Sequence, residues 1–451
     1  MKVEIYKTSK NTQDRLTKQE NVELIKREKT ENIIKLDPEQ RFQKIVGFGG
    51  AFTEAGGYAL SALPEEKQQE VVNSYFDTEN GLNYTFCRTH INSCDFSLGN
   101  YAYDETPGDV EFEDFSIERD RKFLIPFIKK ALSIKQDDLK IFASPWSPPA
   151  WMKTNEKMNN GGSLKEEYKE TWAKYFAKYI DEYKKEEIDI WGVSIQNEPL
   201  AVTPWDNCIY SLEQERDFVK VLGAEFERQN LSDKKIIIWD HNKDKMKERV
   251  DGILSDPEAS KYVWGVGFHW YGSDDTQSIE DNSVLNYTYE RYGKELVFTE
   301  GCNPLYGEKS FVGEWWTGEK YGRHIIADLN AWTVAWTDWN MILDEKGGPN
   351  HVQNYCDAPI IIDTKDKIVH YNSPYYYLGH FSKFILPGAV RIGLESNIDA
   401  LHKTAFINED GSIILVVLNE TEEIINFSLQ LKDTNFEYDI EGHSIVTLKL
   451  I

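Results

Sequence analysis

Cysteine is scarce in this chain. There are 5 in 451 residues, and Cys87, Cys94, Cys208, Cys302 and Cys356 form no CxxC pair. This argues against a disulfide framework or a zinc ribbon and predicts a reduced, cytoplasmic protein. No apolar run reaches the length of a membrane-spanning helix, so no stable membrane association is expected. Residues 1–35 are dense in Lys, Glu, Asn and Thr and lack the apolar centre of a secretion signal. Concentrated basic charge is missing too. Lys and Arg total 51 against 76 Asp and Glu, a formal charge of −25. Such a chain is not expected to bind nucleic acid or a polyanion, and a neutral substrate suits it better. The histidines show neither HxxxH nor HxH spacing, so no metal site is expected. No GxSxG elbow is present. Gly47-Phe48-Gly49-Gly50-Ala51-Phe52 has Phe where a dinucleotide loop needs its third glycine, so it reads as a tight turn and no cofactor is expected.

Aromatic side chains are plentiful, with 13 Trp, 24 Tyr and 22 Phe. Either a large core or a sugar-binding surface accounts for them.

Short apolar runs alternate with helical stretches. The runs are Val46–Phe52, Tyr84–Ile91, Leu139–Ser144, Ile190–Gln196, Lys235–Trp239, Trp264–Trp270, Glu295–Thr299 and Val334–Trp339. Helices are expected at Glu65–Phe76, Ile117–Leu132, Leu164–Lys185, Leu212–Arg228, Lys243–Leu254, Asp275–Tyr289 and Lys320–Ala331. Eight strands alternating with helices fit an α/β fold, a (β/α)8 TIM barrel, with a doubly wound sheet as the alternative. After Pro387 the texture becomes short, alternating and β-branched, as in Ser412–Asn419 and His443–Leu450. Those strands are few for a sandwich, and Val3–Tyr6 and Asn32–Leu36 would supply the rest. The expected organisation is a barrel over 46–385 and a side β-sandwich over 1–45 plus 386–451.

Barrel enzymes place their sites at the C-terminal ends of the strands. Glu198 and Glu300 each directly follow an apolar run and are followed by Pro199 and Gly301. Two carboxylates facing across a barrel mouth can divide proton donation and nucleophilic attack, the requirement of a glycosidase; two ion-paired structural acids are the other reading. Asn197 can hydrogen-bond a sugar hydroxyl, and Asp95 can take two. Trp146 and Trp339 offer flat faces to a pyranose, unless they only fill the core. His269 reads as a hydrogen-bond partner in the rim.

Several stretches together are specific. They are Gly47–Thr53, Ser93–Ser97, Ala143–Asn155, Gln196–Pro199, His269–Tyr271, Trp336–Asn340 and Gly347–Asn350. In that order they resemble glycoside hydrolase family 30, the family of lysosomal glucosylceramidase. The resemblance implies a barrel with a sandwich from both termini, and retention of configuration through a glycosyl-enzyme. By motif position Glu198 is similar to the family's acid/base and Glu300 to its nucleophile. Arg88, Asp95, Trp146, Asn197, His269, Tyr271, Trp339 and Asn354 fall where the family lines its sugar subsite. Arg88 is then expected to hold Glu300 ionised, and Glu198 to be protonated at rest with a raised pKa.

There are departures. The lysosomal enzyme's N-terminal cysteine cluster is absent, His351 stands where it has tryptophan, and the loop from Cys302 to Glu319 differs. The resemblance implies a carbohydrate substrate, most simply a neutral β-glucoside. A β-1,6-glucanase, β-xylosidase or β-fucosidase of the same family is the alternative. A catalytically silent carbohydrate-binding protein is the reading from another class, and a nucleotide-dependent oxidoreductase lacks its phosphate loop. The sequence sets no oligomeric state.

Overall fold

In the computed structural model, which describes residues 2–20, 31–272, 282–305, 307, 310–432 and 434–451, the apolar runs become parallel strands. They are Gly47–Ala51, Phe86–Ile91, Lys140–Pro145, Ile190–Ser194, Lys235–Asn242, Val263–His269, Glu295–Glu300 and Thr333–Asn340, and they close into a barrel. Parallel strands covered by helices are buried on both faces, which is why they read as unbroken apolar runs. Phe86, Phe142, Ile237, Val297 and Val334 pack together inside. The glycines of the first strand serve strand packing: a Cβ on Gly49 would lie 2.1 Å from the Phe86 carbonyl oxygen.

The helix Lys169–Lys185 buries Trp172, Tyr175, Phe176, Tyr179 and Tyr183, the face its spacing predicts. The helix Leu212–Arg228 opens with a capping box between Ser211 and Gln214. The helix expected from Ile117 begins at Leu124, because residues 120–122 form a separate 3-10 turn. Of the helix expected at Asp275–Tyr289, residues 275–281 lie outside the described residues, and the observed helix is Ser283–Tyr292. Among the described residues, three α-helices lie outside those expected: Glu54–Ser61, the single turn Pro257–Ser260, and Ser373–Ser382. Ser373–Ser382 follows a small sheet of Ile342–Asp344, Ile360–Asp363 and Ile368–Tyr371. It carries Tyr375, Tyr376 and Tyr377, which favour strands when read alone.

The side domain takes strands from both ends of the chain. Val3–Ser9 lies between Ser444–Leu450 and Thr17–Lys18. Ile33–Lys44 lies between Ile425–Leu431 and Val390–Ser396. Thr434–Ile440 and Thr17–Lys18 are strands beyond those expected. All belong to one continuous nine-stranded sheet. Strand alternation gives it two apolar faces. Leu415, Val417, Val446 and Leu448 join the sandwich core, while Ile414, Val416, Leu418 and Ile445 join the core of the barrel. Buried His380 bridges the hydroxyls of Thr447 and Thr8 at 2.8 and 2.9 Å. Burial pushes its pKa down to about 3, so it binds the two parts as a neutral ring. Among the described residues no helix is long and apolar enough to cross a membrane.

Candidate active site

The strand ends bring most of the expected side chains together, and they add one. Arg88, in the second strand, is fully buried. Its Nη1 donates to Glu300 Oε2 at 2.6 Å, and its Nη2 to Asn197 Oδ1 at 3.0 Å and to Asp240 Oδ2 at 2.8 Å. Asp240 was missed because the fifth strand was expected to stop at Trp239; it continues to Asn242. The reason is a bulge. Trp239 and Asp240 sit at φ +73° and +52°, and the register with the sixth strand shifts between Trp239 and His241. Such bulges re-aim a side chain and favour functional positions. Glu215 accepts from the Trp239 amide at 2.8 Å and is paired with Arg249 at 2.7 Å, which fixes the bulge from behind. An acid placed directly after Ile236-Ile237-Ile238-Trp239 was the available signal.

Asp240 is crowded with donors: Arg88, the hydroxyls of Ser144 at 3.0 Å and Ser194 at 2.5 Å, and His269 Nε2 at 3.0 Å. The other ring nitrogen of His269, Nδ1, is 3.2 Å from Glu198 Oε1. Glu198 itself adopts φ +48°, and its amide donates to the Asp240 carbonyl at 3.0 Å. The fourth and fifth strand ends are thereby joined. Glu198, His269 and Glu300 each present one nitrogen or oxygen within 4.8 Å of those of the others.

The charge states follow from these contacts. Burial opposes charge on His269, but Glu300, Asp240 and Glu198 outweigh it and push its pKa up to about 9. Burial also acts to raise Glu198, yet the hydrogen bond with His269 and the nearby positive charge hold it below the ordinary carboxylate value. The shift of Glu198 is therefore downward, opposite to the raised pKa that the resemblance implies. Glu300 is shifted upward by burial, a shift that His269 and Arg88 oppose and Glu198 reinforces. Asp240 is driven far below the carboxylate range by Arg88 and His269 against its own burial.

The remaining expected residues make further contacts. Trp146 and Trp339 stack on one another, with ring centres 5.0 Å apart and planes at 19°. One face of each ring therefore meets the other. The Arg88 guanidinium lies 4.8 Å from the Trp146 ring centre. Asp95 Oδ2 accepts from Asn350 and Asn354, both at 3.3 Å. Burial first, and then the charge of Glu300, push the Asp95 carboxyl well above its usual range. His351 donates its backbone amide to the Asp95 carbonyl at 3.2 Å. Tyr271 stands edge-on to His269 and donates its hydroxyl to Cys302 Sγ at 3.2 Å.

A closed barrel whose strand ends hold two glutamates this close, beside stacked tryptophans and the amides of Asn197 and Asn354, has the arrangement of the barrel glycosidases. Residues 45–385 match the glycosyl hydrolase family 30 TIM-barrel domain, and residues 388–448 its β-sandwich domain; the chain belongs to glycosyl hydrolase family 30. It is 36% identical over 430 residues to the lysosomal acid glucosylceramidase of Mus musculus, covering 92% of this chain and 82% of that one. The crystal structure of SrfJ from Salmonella typhimurium is similar throughout, with 34% identity, a TM-score of 0.93 and coverage of 100% and 99%. A solved endo-β1,6-glucanase gives 28% identity, a TM-score of 0.89 and the same coverage, 100% and 99%.

Proposed function

We propose that the protein is a retaining β-glycosidase acting on neutral β-glucosides by double displacement, with Glu300 as nucleophile and Glu198 as acid/base. The observation that carries this reading is the approach of Glu198 and Glu300 oxygens to within 4.8 Å. Retaining enzymes hold their carboxyl groups about 5–5.5 Å apart, whereas inverting enzymes leave room for a water between them. Glu300, ion-paired to Arg88, attacks the anomeric carbon. His269 and Glu198 share one proton, which passes through Glu198 to the departing oxygen. Glu198 then removes a proton from water as water attacks the glycosyl ester, and the shared proton is restored. Asn197, already oriented by Arg88, is placed to bond the hydroxyl beside the reacting carbon. Asp95, with Asn354 beside it, takes hydroxyls farther along the ring.

Hydrolysis of an aryl β-glycoside panel, run beside glucosylceramide and β-1,6-glucan, tests the reading. A preference for the aryl β-glucoside, with product of retained configuration, is the expected outcome. Inversion, or sugar binding without turnover, would overturn it. The likeness to the endo-β1,6-glucanase favours a second reading, in which the glucan is cleaved and aryl glycosides are not.

A further inference from the structure

Two thiols meet in the shell around the sugar pocket. Cys302 lies two residues beyond Glu300, and Cys356 ends the loop that carries Asn350 and Asn354. Their sulfurs are 3.1 Å apart, about 1 Å longer than a disulfide bond. Both are buried in the apolar cluster that contains Trp146 and Trp339. The backbone keeps them there. Asp357 donates its amide to the Asn303 carbonyl at 2.9 Å, and Leu305 donates to the Tyr355 carbonyl at 3.0 Å. Pro304 and Cys356 form an antiparallel bridge. The approach of the sulfurs is therefore set by paired main chains, not by one side-chain rotamer. Tyr271, whose hydroxyl donates to Cys302, is only partly buried. The bond with Cys302, and burial, keep Cys356 in its thiol form.

We propose that Cys302 and Cys356 are a site of reversible oxidation, at which a peroxide joins them in a disulfide that slows turnover. The sulfur of Cys302 attacks the peroxide oxygen, giving a sulfenic acid and releasing water. The sulfur of Cys356 then displaces the hydroxyl, which leaves as a second water. Two thiols and one hydrogen peroxide yield one disulfide and two waters, and the two electrons pass from sulfur to peroxide. The new bond ties the loop after Glu300 to the loop holding the partners of Asp95. The sulfurs must close by about 1 Å, a displacement to which a reacting carboxylate two residues away is sensitive. The effect on turnover rests on the glycosidase reading; the covalent step does not.

The test treats the whole protein with hydrogen peroxide, unfolds it, and alkylates the free thiols. Three of the 5 cysteines are expected to react, with a mass loss of two hydrogens and a peptide linking Cys302 to Cys356. The kcat/KM for an aryl β-glucoside is expected to fall about tenfold and to return with dithiothreitol. Cys356→Ala is expected to keep its own untreated rate after peroxide, and Cys302→Ala serves as the second variant. Five alkylated thiols, or equal inhibition of Cys356→Ala, would overturn the proposal; a disulfide with unchanged kcat/KM would overturn its effect on turnover. Thiol count and cross-link are read without substrate, so failure of the glycosidase reading leaves them intact.

Discussion

Arg88 and Glu300 form an ion pair of 2.6 Å in which the arginine side chain is fully enclosed and the glutamate retains 8% of its exposure. The residual exposure of the pair thus belongs to the glutamate alone. The same guanidinium serves Asp240 and Asn197. Removing it, as in Arg88→Met, strands two buried carboxylates. The expected loss of stability is about 3–5 kcal/mol, measured by denaturant unfolding, with kcat/KM lost as well. An unchanged unfolding midpoint would mean that the pair is not formed in solution.

The two glutamates are separable by kinetics. Glu300→Gln is expected to abolish hydrolysis while leaving the circular dichroism spectrum intact. Glu198→Gln is expected to slow substrates with poor leaving groups by about 10²–10⁴-fold and to spare the first step for activated aryl glycosides. Burst kinetics with activated and unactivated aglycones distinguish them. Equal losses on both substrates for Glu198→Gln would remove its acid role.

His269 gives a pH dependence with a definite sign. Its folded pKa of about 9 lies above the ordinary histidine value of about 6.5. Its contribution to stability is full below about 6.5 and is lost as pH rises through about 9. The melting temperature of the wild type should therefore fall by a few degrees between neutral pH and pH 9 relative to that of His269→Gln. Parallel curves for the two proteins would contradict the assignment.

Asp240 touches Arg88, Ser144, Ser194 and His269. Asp240→Asn removes the charge that helps to keep His269 protonated. The basic limb of the kcat/KM profile should move to lower pH, and the loss should exceed that for a substitution elsewhere on the fifth strand. A basic limb that stays in place would reduce Asp240 to a packing role.

Much of this arrangement is legible in the residues. The eight barrel strands stand out because burial on both faces makes each an apolar run, and Glu198 and Glu300 stand out because a carboxylate ends such a run. What is hidden depends on contacts between distant segments. Asp240 reaches the site through a bulge held by Glu215, 25 positions before it. The charge state of Glu198 depends on His269, 71 positions away, and no local pattern carries that information. The tryptophans illustrate the same limit. Trp146 and Trp339 lie in one buried cluster, yet only the folded barrel shows that each covers a face of the other.

The strand pairing of the side domain has a consequence for biosynthesis. Val3 is registered against Leu450, and Ser9 against Ser444. Val3–Ser9 is translated long before Ser444–Leu450 and must wait for it before that edge is filled. Pairing across nearly the whole chain is slow to close and exposes unpaired strand edges in the interval. The barrel strands lie between these two segments and are translated before the sheet is complete, so the final stitch joins a molecule whose catalytic half has already been synthesised. Deleting Ser444–Leu450 would therefore spare every residue around Glu198 and Glu300 and still strip Val3–Ser9 of its longest pairing.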